Sequence, residues 1–312
     1  MVREMIKNGG LVYCATLLAT TMVLAQESTL ATPNTGNVGE HSIEIKRSRE
    51  KIEADHEGIS RVMRYDVWSA DIDAEFEGYR IAFVTDIHYP SRFDTEHLLS
   101  LANVLVELKP NALLLGGDYQ EGCEYVDAVL QVLEVSTPNI ERLAVLGNND
   151  IERCTDEIKS LMKAHNIRLL EDETVRLSSC KGNAHIQITG VTNKFNDGVL
   201  SIDSTVSCPT TKLDANDFII LLTHTPDYAE QYDVTNADLT LAGHTHGGQV
   251  TLLGTVAPIT ASLYGQRFVK GLNYNTKGQA IITSNGIGTS RKKIRLCAPS
   301  EVVVIVLHTK ED

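Results

Sequence analysis

Residues 81–88 read Ile81-Ala82-Phe83-Val84-Thr85-Asp86-Ile87-His88. Four apolar residues in unbroken succession suit a strand buried on both faces, the kind found in parallel sheets covered by helices. The polar residues come directly after it. Asp86 and His88 are two apart, so an extended backbone turns both side chains the same way.

The same arrangement recurs along the chain. The run 112–115 ends in Gly116-Gly117-Asp118, and 143–146 ends in Gly147-Asn148-Asn149-Asp150. The run 219–222 leads to Thr223-His224, and 239–242 to Gly243-His244-Thr245-His246. A sixth apolar run spans 302–307. Helical spacing lies between several of them: Leu98, Leu101, Ala102, Leu105 and Leu108 follow Asp94 and Thr95, which can cap, and Pro110 stops the pattern. Val126, Val129, Leu130 and Leu133 repeat it, as do Ile158, Leu161 and Met162. Strand and helix thus alternate in the first half, while the second half holds more strand and turn. An α/β sheet continued by a mixed or antiparallel one is the economical architecture. In open α/β sheets the carboxyl ends of the strands line one crevice, so these polar groups should converge.

Each block taken alone has an ordinary reading. Asp-x-His at a strand end is usually a hydrogen-bonded turn, Gly-Asp and Gly-Asn-Asn-Asp are turn chemistry, and a lone His224 is usually a satisfied core histidine. Five in succession, each after a buried strand, point to a metal site. The glycines fit that reading, because close backbone approach leaves little room for Cβ.

The five blocks resemble the signature of the calcineurin-like metallophosphoesterases: Asp-x-His, Gly-Asp, Gly-Asn-His-Asp/Glu, His and Gly-His-x-His. Tyr264-Gly265-Gln266, Gly271-Leu272, Asn285-Gly286-Ile287-Gly288-Thr289 and Pro299-Ser300-Glu301 are similar to the branch of exported or membrane-associated phosphodiesterases and some UDP-diacylglucosamine pyrophosphatases. The resemblance covers about residues 61–308. It implies an α/β four-layer αββα sandwich, two mixed β-sheets flanked by helices. It also implies two divalent metal ions. Asp86, His88 and His246 would hold one, Asn148, His224 and His244 the other, and Asp118 would bridge them. Imidazole, carboxylate and amide donors suit Mn, Fe, Zn or Co. Two such ions outweigh two carboxylates and a bridging hydroxide by one positive charge, so an acidic protein can still bind a phosphate anion. The implied reaction is attack of that hydroxide on a phosphodiester, phosphomonoester or pyrophosphate. Asp150 is expected to orient a catalytic group, or simply to cap a turn.

One position departs from the family pattern: Asn149 stands where most members have histidine. Asparagine donates a neutral hydrogen bond but supplies no proton, and a positioned acid is worth on the order of 10² to 10⁴ in rate. Asn149 therefore predicts a preference for good leaving groups. The competing class is a catalytically weakened fold serving as a binding scaffold, against which stands the retention of all seven ligands.

Composition frames these expectations. The chain has 312 residues, 42% hydrophobic and 22% charged, with 28 Lys and Arg against 41 Asp and Glu, a net charge of −13. Nucleic acid polymers, bound mainly through clustered Lys and Arg, are poor partners for such a surface; a small phosphorylated substrate is the expected one. Arg3 and Lys7 precede an apolar run over 11–25 ending in Val23-Leu24-Ala25. This reads as a signal peptide cleaved after Ala25, hence a periplasmic or secreted protein, or as an uncleaved anchor that keeps it near a membrane. Residues 26–60 are expected to be linker and N-terminal extension, with 41–59 a solvated surface or peripheral helix, and 61–312 the domain. Five cysteines follow the leader; Cys180 and Cys208 are the expected pair, and none has CxxC spacing. Arg291-Lys292-Lys293 are candidates to receive a phosphate or lipid headgroup, with a solvated turn the plainer reading. Tyr89, Tyr119 and Asn193 are weaker candidates for the cleft, and Gln249 for holding the Gly247-Gly248 turn.

Overall fold

The computed structural model describes residues 43–310 apart from 92, 197, 204–206 and 214–216. The leader and the linker over 26–40 lie outside the described residues. Among the described residues fifteen strands run in chain order: β1 (Glu44–Glu50), β2 (Arg61–Ser69), β3 (Tyr79–Val84), β4 (Ala112–Leu115), β5 (Glu141–Ala144), β6 (Arg168–Leu169), β7 (Glu173–Ser178), β8 (His185–Gly190), β9 (Phe195–Asn196), β10 (Val199–Leu200), β11 (Ile219–Leu222), β12 (Leu239–Ala242), β13 (Gly271–Tyr274), β14 (Ala280–Thr283) and β15 (Glu301–Thr309).

Two mixed sheets result. One has the order β1-β2-β15-β3-β4-β5-β6, the other β13-β14-β12-β11-β8-β7. The strands that precede the polar blocks sit centrally, in parallel: β3, β4 and β5 in the first sheet, β11 and β12 in the second. Alternation along β3 explains the layering. Ile81 and Phe83 pack between the sheets with Leu114, Ile220, Leu222, Leu241 and Ile282. Ala82 and Val84 face the other way, against Leu101 and Leu105 of helix Thr95–Leu108 and Val129 and Leu133 of helix Val126–Ser136. On the far side of the second sheet, Ile219, Leu221 and Ile281 pack under Tyr228, Ala229 and Phe268. Every core strand is thus apolar on both faces, and the four-layer αββα architecture results. Helix Thr95–Leu108 starts where expected, capped by Asp94, whose side chain accepts from Glu96 N and His97 N.

Three expectations need correction. Residues 44–50 lie on the solvated surface, as one reading had it, but as an antiparallel edge strand and not a peripheral helix, in register from Glu44↔Trp68 to Glu50↔Val62; the folded unit therefore begins before residue 61. Its sequence holds a single apolar residue, Ile45, because an edge strand pairs through main chain and carries charges outward. The third apolar run is strand only to Ala144, its last two residues leading into the turn. The disulfide joins Cys123 to Cys154, with Cα atoms 5.5 Å apart, leaving Cys180 and Cys208 free. Cys180 is exposed beside Asn111, whereas Cys208 is buried in the cluster outside the second sheet.

Candidate metal centre

Six of the seven predicted ligands meet at the carboxyl ends of β3, β4, β11 and β12. Asp86 Oδ1 lies 3.4 Å from His246 Nε2 and 4.0 Å from His88 Nε2. Asp118 Oδ2 lies 3.4 Å from His88 Nε2 and 3.5 Å from His224 Nε2, and His224 Nε2 is 3.1 Å from His244 Nδ1. Two donors held about 2.1 Å from one tetrahedral ion sit roughly 3.4 Å apart, so these separations are those of a coordination shell. Asp86, His88 and His246 form one set able to hold an ion, and Asp86, Asp118 and His224 a second that overlaps it. The seventh, Asn148, opens helix Asn148–Arg153 and is nearly buried.

Two atoms test whether the residues fit a metal. Among the described residues, His88 Nε2 and Asn148 Oδ1 are buried with no hydrogen-bond partner. A buried polar atom left without a partner costs about 1–3 kcal/mol, and both belong to the expected ligands. The backbone carries further cost: Asp86, His88, Asp118, His244 and His246 all have left-handed φ, from 46° to 69°. Strain gathered on five of seven expected ligands is the mark of a functional site. Two glycines let the blocks close. A Cβ on Gly147 would overlap the Asp118 carboxylate, and one on Gly243 would overlap Asp86 Oδ2 and Thr85 Oγ1.

The surrounding groups aim these side chains. Thr85 Oγ1 donates to Asp86 Oδ2 and the His244 amide is shared between both carboxylate oxygens, with Oδ1 toward the histidines. The imidazoles of His88 and His224 bond Glu121 and Gly116 O through Nδ1, both at 2.7 Å, which frees each Nε2 for an ion. Asn193 Oδ1 accepts from Thr223 Oγ1 and from the amides of His224 and Thr225, so it holds the His224 turn rather than lining a cleft. Tyr119 is buried with its hydroxyl on Val145 O, and Tyr89 bonds Thr95. Gln249 Nε2 ties its turn to Ser290 O and Lys292 O. Phe195 of β9 packs over His224 and His244, with ring centroids 5.8 and 5.5 Å away.

Asp150 is fully buried in helix Asn148–Arg153. Its carboxylate accepts from the amides of Gly147, Asp118 and Tyr119 at 2.9, 2.6 and 3.1 Å, capping its own helix and fixing the Asp118 backbone. Burial, with the Asp118 charge, pushes its pKa up to about 7. Asn149 is turned toward Asp118: its amide N and Nδ2 donate to Oδ1 and Oδ2 at 2.9 and 2.6 Å. Burial lowers the His88 and His224 pKa values, but Asp118 and neighbouring acceptors more than reverse this, raising them to about 10 and about 9. Burial and the His224 charge push His244 down to about 3, and burial with His88 lowers His246 as well. Burial would raise Asp118, yet the attraction of the His224 and His88 charges holds it well below the carboxylate range.

The family model for calcineurin-like phosphoesterases matches residues 79–248, a span that contains all five blocks. The chain belongs to the calcineurin-like phosphoesterase family. It is a metal-dependent phosphohydrolase. The metallophosphoesterase YkuE of Bacillus subtilis (strain 168) is 28% identical over 242 residues, 75% of this chain and 80% of that protein. The phosphodiesterase YaeI of Escherichia coli (strain K12) is 30% identical over 236 residues, 73% of this chain and 82% of that protein. Among solved structures, a 5′-nucleotidase precursor from Thermus thermophilus aligns with TM-score 0.42 and 14% identity, over 65% of this chain and 48% of that one.

Glu121, Thr85 and Phe195 were not among the sequence candidates. Glu121 follows Asp118 by three residues, but nothing in that spacing says its carboxylate reaches His88.

Proposed function

We propose that this phosphohydrolase works outside the cytoplasm with two divalent ions. It cleaves a small phosphodiester or pyrophosphate whose leaving group departs without help from a protein acid. The observation that carries the reading is the pair of buried side-chain atoms without a hydrogen-bond partner, His88 Nε2 and Asn148 Oδ1, one in each expected half of the site. Asp86, His88 and His246 would hold one ion, Asn148, His224 and His244 the other, with Asp118 between them. Such ions lower the pKa of bound water toward neutrality and neutralise charge on the phosphoryl oxygens.

The chain's own residues supply placement. Glu121 and Gly116 O fix the tautomers and ring planes of His88 and His224, and Asp150 fixes Asp118. Asn149 offers only amide protons, and one of them is spent on Asp118. A leaving oxygen must therefore be stable as an anion, as nucleotide phosphates and aryl oxides are. The Cys123–Cys154 disulfide supports export, since such bonds persist in oxidising compartments.

The test is turnover of bis-p-nitrophenyl phosphate and aryl esters of graded leaving-group pKa by Mn-loaded protein. Asp118→Ala is expected to abolish turnover with the fold intact. Asn149→His is expected to help the poor leaving groups most, and an equal effect across the series would overturn the leaving-group argument.

A further inference from the structure

The charge of the chain is unevenly placed. Between Asp238 and Glu301 there is no acidic residue and there are seven Lys and Arg, leaving 21 basic against 41 acidic residues elsewhere. Arg267 and Lys277 of this segment are neutralised by Glu230 and Asp233. Arg291, Lys292 and Lys293 are exposed and have no acidic partner among the described residues.

Large apolar side chains are exposed in the same place. Leu252, Leu253, Val256, Ile259, Ile294 and Leu296 are each at least half exposed, Ile259 reaching 76%. They belong to two loops joined by main chain, Leu296 N donating to Gln249 O and Thr251 N to Leu296 O, both at 2.9 Å, while Leu252 N donates to Val256 O at 2.7 Å within the first loop. Leu253 and Gly254 form the two-residue tip, closed by Thr255 N on Leu252 O, with φ of 51° and 73°. Asn or Gly takes the first of these left-handed positions at least cost. A leucine held there, at the expense of backbone strain and facing solvent, implies a use for its side chain outside the fold.

We propose that the surface formed by residues 250–259 and 290–296 docks the protein onto an anionic lipid bilayer. Apolar side chains at loop tips enter the headgroup boundary while the neighbouring cations meet lipid phosphates, which is how peripheral proteins hold an interface. No described helix is long and apolar enough to cross a membrane; the proposed contact is made by loop tips lying on the bilayer. A second copy fits less well, because an isologous contact would bring the Arg291-Lys292-Lys293 clusters face to face. The surface adjoins the metal centre through Arg295, whose guanidinium donates to His246 O, Gly288 O, Asn285 O and Ala298 O. The proposal does not depend on the hydrolase reading.

The experiment places a reporter on the tip. Trp68 is the single tryptophan of the chain and stacks on His308, away from both loops. Leu253→Trp in the full chain, with native protein as the Trp68 baseline, is titrated with vesicles of phosphatidylcholine alone or with about one-third phosphatidylglycerol, acyl chains brominated. The added tryptophan is expected to be quenched by the anionic vesicles. Arg291→Glu, Lys292→Glu and Lys293→Glu together should weaken that titration by at least on the order of a hundredfold. The triple variant should melt at the native temperature, which separates loss of docking from damage to the fold. Absence of quenching by anionic vesicles would overturn the proposal. So would a concentration-dependent dimer, seen by sedimentation without lipid, that buries the added tryptophan.

Discussion

The Cys123–Cys154 bond should set much of the stability, and its contribution is calculable. It closes a loop across a sequence separation of 31. Loop-closure entropy for about 32 residues corresponds to ~3.7 kcal/mol at 25 °C. A folded unit of some 270 residues has an unfolding entropy near 0.56 kcal/mol/K, so removing the bond should lower Tm by roughly 6–7 °C. The bond also stands beside the site. Cys123 follows Glu121 by two residues, and Cys154 directly follows the helix that carries Asn148, Asn149 and Asp150. Scanning calorimetry of native protein with and without reductant, and of Cys123→Ser/Cys154→Ser, checks the figure. Reduced native protein and the double variant should melt together below the oxidised form. Identical melting of oxidised and reduced protein would refute the reasoning, as would a thiol assay finding both cysteines free in protein made under oxidising conditions.

Three further outcomes are expected. Glu121→Gln keeps an acceptor for His88 but removes its charge; because Glu121 is 29% exposed and also faces Arg153, the loss of Mn affinity should fall near the lower end of the 10–100-fold range, about tenfold, by calorimetric titration. Ions bind neutral imidazole, and His88 and His224 titrate at about 10 and about 9 in the metal-free protein. Binding at pH 7 should therefore release up to about two protons, read from the dependence of titration heat on buffer ionisation enthalpy, and apparent affinity should rise with pH; no proton release would contradict these assignments. Burial opposes protonation of His308, but hydrogen bonds to Glu77 and Asp66 outweigh it and raise its pKa. A raised folded value means stability present below the unfolded value near 6.5 and lost as pH rises through the folded one, so the Tm gap between native protein and His308→Gln, worth up to about 1 kcal/mol, should shrink from pH 6 to pH 9.

Much of the site was legible because parallel strands are buried on both faces and end on one edge. Continuous apolar runs locate the strands, and the residues directly after each run lie at the crevice; Asp86, Asp118, His224 and His244 were found that way. The features that escaped depend on contacts between segments. Glu121 matters because the turns after β3 and β4 approach each other, with His88 N on Asp118 O, and no local spacing encodes that approach. β1 escaped because an edge strand needs main chain more than apolar side chains. The disulfide escaped because the loop holding Cys123 and the helix end at Cys154 meet only once three strands have paired. Left-handed φ at five ligands left no trace either, since Asp and His at those positions are required for their donors and not for their backbone preference.

The central claim is that seven side chains from five strand ends enclose two cations. Anomalous diffraction from crystals grown with manganese tests it directly. Two peaks are predicted, one touching Asp86, His88 and His246 and one touching Asn148, His224 and His244, with Asp118 reaching both. A single peak outside these residues, or none in crystals that contain the folded protein and millimolar manganese, would contradict the account.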